Sequence, residues 1–133
     1  MEDRVVSINI KMAKAKQLLA DVGILQKHGG YNSIISRLYY ACYHATTALR
    51  LTKKLQAKTH KGLAALLYTE FVSKGEFELT QSAFFARLMQ ERMDEDYGDF
   101  LVADHETIQE FLEPAKGYID YIERLIALYY EQQ

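Results

Sequence analysis

The chain has 133 residues, which is enough for one domain with a single hydrophobic core. Its net charge of −2 argues against a protein that coats nucleic acid through a broad basic surface, so any RNA should meet a local site. No run of eighteen apolar residues predicts a membrane span, and the N-terminus lacks a signal pattern. The single cysteine, Cys42, excludes an internal disulfide and favours a reducing compartment. We therefore expect one cytoplasmic domain over residues 1–133.

Helical spacing of apolar residues dominates the first half of the chain. The first predicted helix covers residues 3–27, and Gly29-Gly30 ends it. A second helix should begin near Asn32, a good N-cap residue, and run to Leu51. Thr59 is the predicted N-cap of a third helix.

Two further helices are predicted in the second half. The fourth covers residues 80–94 and is followed by a turn or loop at residues 96–99. Asp104 should cap the last helix, and Pro114 should kink it or split off a first piece, because proline removes a backbone donor. The predicted fold class is all-α, an antiparallel four-helix bundle with one additional short helix.

The chain lacks the residue patterns of several metal and phosphate sites that occur in other proteins. None of the four histidines has a glutamate three positions before it, as a di-iron site would need. The chain has no paired-cysteine zinc pattern and no glycine-rich phosphate loop. The acidic residues 94–96 are more typical of a solvated helix end than of a cation site. We therefore predict no metal and no cofactor.

The most informative stretch is Ser-Arg-Leu-Tyr-Tyr-Ala-Cys-Tyr-His-Ala, residues 36–45. Arg37 and His44 are seven residues apart, which is about two helical turns, so their side chains share a face and lie roughly 10 Å apart along the axis. Tyr40 and Thr47 flank them on that face. A permanent cation beside a group that titrates near neutrality suits phosphodiester chemistry.

A second block, Thr-His-Lys-Gly, opens the third helix. Its backbone amides and helix dipole favour an anion, and His60 and Lys61 would add positive charge. Thr59 has a simpler explanation as a cap, and His60 as an exposed residue at a helix start.

A third block places Arg92 late in the fourth helix, with Asp96 and Tyr97 after it. Arg92 could simply pair with Asp96 at helical spacing. In this order and spacing, however, the three blocks together are more specific than any one of them.

The three blocks resemble those of the HEPN-domain family of prokaryotes, in its small Tyr-Tyr-Ala branch. The resemblance covers almost the whole chain. It implies a four- to five-helix bundle that dimerises, and in many members a metal-independent endoribonuclease with an Arg, four to six residues, His motif, which Arg37 and His44 fit. It also implies a partner: many such proteins are toxins paired with a small nucleotidyltransferase as antitoxin.

One position departs from the best-described branch of that family. There the transferase silences the toxin by adding adenylate to a tyrosine two residues after the motif histidine, and this chain has Thr46 at that position. That silencing mechanism is therefore not transferred to this chain.

The residues permit three functions. In the first, His44 shuttles a proton, Arg37 holds the scissile phosphate of an RNA and Tyr40 positions or stacks, with a homodimer supplying two copies of each. The remaining candidate binding residues are Thr47, Thr59, His60, Lys61, Arg92, Asp96 and Tyr97. In the second, the protein binds a nucleotide or docks a nucleotidyltransferase without cutting RNA. In the third, it is a helical adaptor that binds a partner through tyrosine-rich faces.

Overall fold

The structure is a computed structural model, and it describes residues 3–29, 33–97 and 105–132, without the side chains of residues 95–97. Within these ranges the chain forms helices joined by short turns and contains no strand. The all-α prediction is therefore confirmed. The helices are α1 (Asp3–Lys27), α2 (Ile34–Thr52), α3 (His60–Leu67), a π-helical turn (Tyr68–Val72), α4 (Leu79–Tyr97) and α5 (His105–Glu131).

Helix α2 is the centre of the bundle. It packs most extensively against α1, then against α5 and α4, so most of its circumference is covered. Small residues at Ala41, Ala45 and Ala48 are fully buried and allow close approach of its neighbours. Only one narrow side of α2 is left half-exposed, and this side carries Arg37, Tyr40 and His44.

The ends of the first helices agree closely with the sequence prediction. Gly29 adopts a left-handed φ of 72° and its amide bonds back to Gln26, which terminates α1. Helix α2 begins at Ile34, after Ser33 with a φ of 66°. Ser33 is the N-cap residue of α2, so the predicted cap at Asn32 is wrong by one position. Asn32 and Asp104 lie outside the described residues.

The predicted turn after α4 is wrong at residues 96 and 97, where the backbone is still helical. No glycine or proline interrupts the sequence before Gly98, so nothing stops the helix earlier. The prediction for Gly98 and Asp99 lies outside the described residues.

Pro114 does not split α5, which runs unbroken from His105 to Glu131, so the predicted separate first piece is wrong. The kink, the other predicted effect of Pro114, stays a prediction. Pro114 and Glu110, whose carbonyl loses a partner, are both exposed, and water can satisfy that carbonyl. Packing of Phe111 and Ala115 on the opposite side holds both halves on the same core.

Across the described ranges, no helix combines the length and the apolar character needed to cross a bilayer.

Candidate functional site

The half-exposed side of α2 forms a strip made of Arg37, Tyr40, Tyr43 and His44. We call these four residues the α2 strip. Helix α1 borders it on one side, and the beginning of α3 borders it on the other. The strip therefore lies on the surface between two neighbouring elements, neither sealed in the core nor isolated in solvent.

Within the described part of the chain, Arg37 uses few of its hydrogen-bond donors. Its side chain donates one hydrogen bond to Ser33 Oγ, one turn earlier in the chain. No carboxylate pairs with it in the ranges that the structure describes. A guanidinium has five N–H donors, so Arg37 can still bind a phosphate in a bidentate manner.

His44 is half-buried and lies near two cations of α1. Burial lowers the pKa of His44, and the charges of Lys11 and Lys14 lower it further. Its Nδ1 is buried and has no hydrogen-bond partner among residues 3–29, 33–97 and 105–132. The imidazole is therefore neutral at pH 7 and able to accept a proton, in a locally positive environment.

His60 reaches the other border of the strip from the first turn of α3. Its Nδ1 lies 2.6 Å from the hydroxyl oxygen of Tyr39, and its ring stacks on Tyr43 with centroids 4.5 Å apart. Burial and the nearby Arg92 lower the pKa of His60. Tyr43 also contacts His44, because the centroids of their rings are 5.7 Å apart. The neutral imidazoles of His44 and His60 therefore lie next to the same tyrosine.

Arg92 extends from α4 over the tyrosine rings. Its guanidinium carbon lies 5.0 Å from the Tyr40 centroid and 5.4 Å from the Tyr39 centroid, which is cation–π distance. The structure therefore brings Arg37, Tyr40, His44, His60 and Arg92 to one region, although they come from three helices.

Other predicted site residues have different surroundings. Thr59 Oγ1 accepts a hydrogen bond of 2.8 Å from the amide of Gly62, so it caps α3 as predicted and uses an amide that an anion would need. Thr47 is only 5% exposed, which argues against contact with a ligand in the single chain. Lys61 is exposed beside His60. The side chains of Asp96 and Tyr97 lie outside the described residues.

Four residues that the sequence analysis did not select also belong to this region: Lys11, Lys14, Tyr39 and Tyr43. Tyr39 and Tyr43 are one turn apart, which could have signalled a shared face. Nothing in the sequence indicated that His60 would lie against that face, or which lysines of α1 would face His44.

Thr46 lies on the opposite, buried side of α2 and is 1% exposed. Thr46 is the residue two positions after the motif histidine, and the structure places it inside the core. An enzyme could modify it only if this protein unfolded.

Two grooves of the structure lie elsewhere. One of about 450 Å³ lies between α1 and α5, and another of about 370 Å³ lies near the end of α2 and α5. Neither is lined by Arg37 or His44. The α2 strip is therefore separate from both of these grooves.

Comparison with known proteins identifies a family for this chain. The model of the HEPN domain family matches residues 10–125. A "UPF0332 protein" of Thermotoga maritima is 32% identical over 113 residues, covering 85% of this chain and 86% of that protein. A protein of Methanocaldococcus jannaschii named "Putative toxin MJ0605" is 27% identical over 112 residues, covering 84% of this chain and 83% of its own length.

Proposed function

Because this chain belongs to the HEPN-domain family, we propose that it is a metal-independent endoribonuclease that acts as the toxin of a toxin–antitoxin pair. The observation that carries the proposal is the α2 strip, where an arginine without a carboxylate partner in the described ranges and a neutral histidine share one half-exposed face. The name of the Methanocaldococcus relative is in line with a toxin.

Cleavage of RNA without a metal needs a base, a charge clamp and an acid. His44 takes the proton from the 2′-hydroxyl, because its lowered pKa keeps it neutral. The 2′-oxygen then forms a bond to phosphorus, and the bond from phosphorus to the 5′-oxygen breaks. Arg37 stabilises the negative charge of the phosphorane. The products are a 2′,3′-cyclic phosphate and a 5′-hydroxyl.

One chain contributes one Arg37 and one His44, so the leaving oxygen needs another proton donor. A two-fold dimer that joins the α2 strips of two copies would supply it. A monomeric mass by light scattering, found together with full cleavage activity, would contradict this dimeric form.

The test is incubation of the pure protein with a fluorescent RNA in EDTA. We expect cleavage that His44→Ala lowers by about 100-fold or more, since a positioned base contributes about that factor. Arg37→Ala should lower it by about 100- to 1,000-fold. Matched controls are His28→Ala and Arg124→Ala, which change exposed residues of the same types outside the strip. No cleavage by the parent protein, or full activity of His44→Ala, would refute the proposal.

A second candidate is a nucleotide-binding module that docks a separate nucleotidyltransferase. The rings of Tyr40, Tyr43 and His60 favour it, because a nucleobase stacks on such surfaces and its phosphate can bind Arg37 of the same strip. A rise in melting temperature with AMP or ATP that disappears in Arg37→Ala, without any RNA cleavage, would support this function over the first.

A further inference from the structure

The buried hydroxyl of Tyr39 determines which nitrogen of His60 carries the proton. Tyr39 has no exposed surface, and within the described residues its hydroxyl has one hydrogen-bond partner, His60 Nδ1 at 2.6 Å. If Nδ1 were protonated, the tyrosine proton would be buried without an acceptor, at a cost of about 1–3 kcal/mol. Tyr39 therefore donates, Nδ1 accepts, and Nε2 bears the proton of the neutral ring.

The position of the imidazole is fixed as well. Its ring stacks on Tyr43 at an interplanar angle of 29° and meets the ring of Tyr40 nearly edge-on, at 81°. The ring is half-exposed, and its Nδ1 edge lies against the fully buried Tyr39. The edge that solvent and ligands can reach is therefore the one with the Nε2–H group.

The surroundings of this N–H group suit an anion. Arg92 lies close enough to His60 to lower its pKa, and Lys61 follows it in the chain. Burial acts in the same direction, so His60 stays neutral at pH 7. A neutral donor among cations can bind a phosphate oxygen, but it has no extra proton to give away.

We propose that His60 is a second RNA-contacting histidine, a neutral donor of fixed tautomer that binds a phosphate oxygen through Nε2–H, and that Tyr39 is its positioning residue. This rests on the proposed function, because the ligand is the RNA backbone next to the α2 strip. No covalent bond to His60 forms or breaks, and no proton leaves it. In this proposal His44 transfers a proton, and His60 donates a hydrogen bond.

The first experiment measures the tautomer directly, without any ligand. Long-range ¹H–¹⁵N correlation spectra of the parent protein should show His60 with its proton on Nε2. In Tyr39→Phe, which removes only the hydroxyl, both tautomers should appear. Tyr68→Phe, at a tyrosine that is 51% exposed, is the matched control and should leave the His60 signals unchanged. A proton on Nδ1 in the parent would overturn the proposal.

The second experiment measures binding of a 2′-O-methyl RNA oligonucleotide, which cannot be cleaved. His60→Ala should weaken binding by about 10- to 100-fold, the range for hydrogen bonds to charged groups. His60→Gln, whose amide N–H can reach the place of Nε2–H, should stay within about threefold of the parent. Tyr39→Phe should lose about two- to fivefold, because only a fraction of His60 then has the competent tautomer.

The outcomes separate this proposal from the nuclease proposal. If the parent cleaves RNA and His60→Ala binds and cleaves equally well, His60 has no such role and the nuclease proposal stands. If His60→Gln is as weak as His60→Ala, the donor role is refuted. If the parent binds the oligonucleotide through His60 but cleaves nothing, the nuclease proposal fails alone. If the parent binds no oligonucleotide, the role of His60 is refuted, and if it also cleaves no RNA, both proposals fail.

Discussion

The hydroxyl oxygens of Thr46 and Tyr118 lie 2.6 Å apart in the buried contact between α2 and α5. Thr46 also donates a hydrogen bond of 2.7 Å to the carbonyl of Cys42, so it accepts the proton of Tyr118. Burial raises the pKa of Tyr118 well above its ordinary value, which keeps that proton in place. The residue two positions after His44 is thus a structural part of the core.

Removing one member of this pair should destabilise the protein. Thr46→Val leaves the buried Tyr118 hydroxyl without its acceptor, and we expect a loss of about 1–3 kcal/mol in the free energy of unfolding. Urea denaturation measures this loss. Adding Tyr118→Phe should recover part of it, because the unsatisfied hydroxyl is then gone. A double variant that loses the sum of both single effects would show that the two hydroxyls are not coupled.

The core is connected to the site through stacked rings. Phe85 is fully buried and lies between Tyr39 and Tyr118, with centroid distances of 5.7 Å and 5.6 Å. Phe85→Ala should cost about 3–5 kcal/mol and should also loosen Tyr39, and with it His60. Urea denaturation measures the first effect, and the tautomer signals of His60 report the second.

The control for this substitution is Leu79→Ala, at a residue that is 61% exposed. It should change the free energy of unfolding by no more than about 0.5 kcal/mol. If Phe85→Ala altered stability but left the His60 tautomer fixed, the connection from core to site would be refuted.

Stability should fall as the pH drops below the ordinary histidine pKa of 6.5, because His44 and His60 both have lowered values in the folded chain. In the unfolded chain these histidines take up protons near pH 6.5, while the folded chain resists protonation. The resulting loss of stability is absent at high pH. It grows as the pH falls, until the pH passes the pKa values of the folded chain. Urea denaturation at pH 7.5 and 5.5, values chosen to bracket that transition, should show the fall.

A variant comparison separates this effect from the titration of carboxylates. In His44→Gln the loss of stability between the two pH values should be smaller than in the parent. In His28→Gln, at an exposed position at the end of α1, the loss should equal that of the parent. Equal losses in all three proteins would mean that His44 is not the group responsible.

The cap of α3 predicts a coupling between Thr59 and Gly62. A Cβ at position 62 would lie 2.8 Å from Thr59 Oγ1, too close for an undisturbed cap. Gly62→Ala alone should therefore lose the cap, worth about 0.5–2 kcal/mol, against the gain of about 1 kcal/mol from alanine in a helix. In the Thr59→Ala background the clash is absent, so Gly62→Ala should stabilise. Thermal denaturation of the four proteins decides this, and additive effects would contradict the coupling.

Some parts of the site could be predicted from local patterns, and others could not. Arg37, Tyr40 and His44 could be placed on one face because a helix has a fixed period, and the structure has all three half-exposed. The cap at Thr59 followed from the preference of threonine for that position. Thr47 also fits the period, but its burial depends on neighbouring helices, which periodicity does not reveal.

Local patterns therefore determined most of the helices and the shared face of Arg37 and His44, because spacing along one helix depends only on chain geometry. Tertiary structure decided the rest: that His60 meets Tyr39 and Tyr43, that lysines of α1 face His44, and that α5 continues past Pro114. These contacts join residues that are distant in sequence. They form only when the apolar faces of several helices pack around one core, and the sequence of a single helix does not determine that packing.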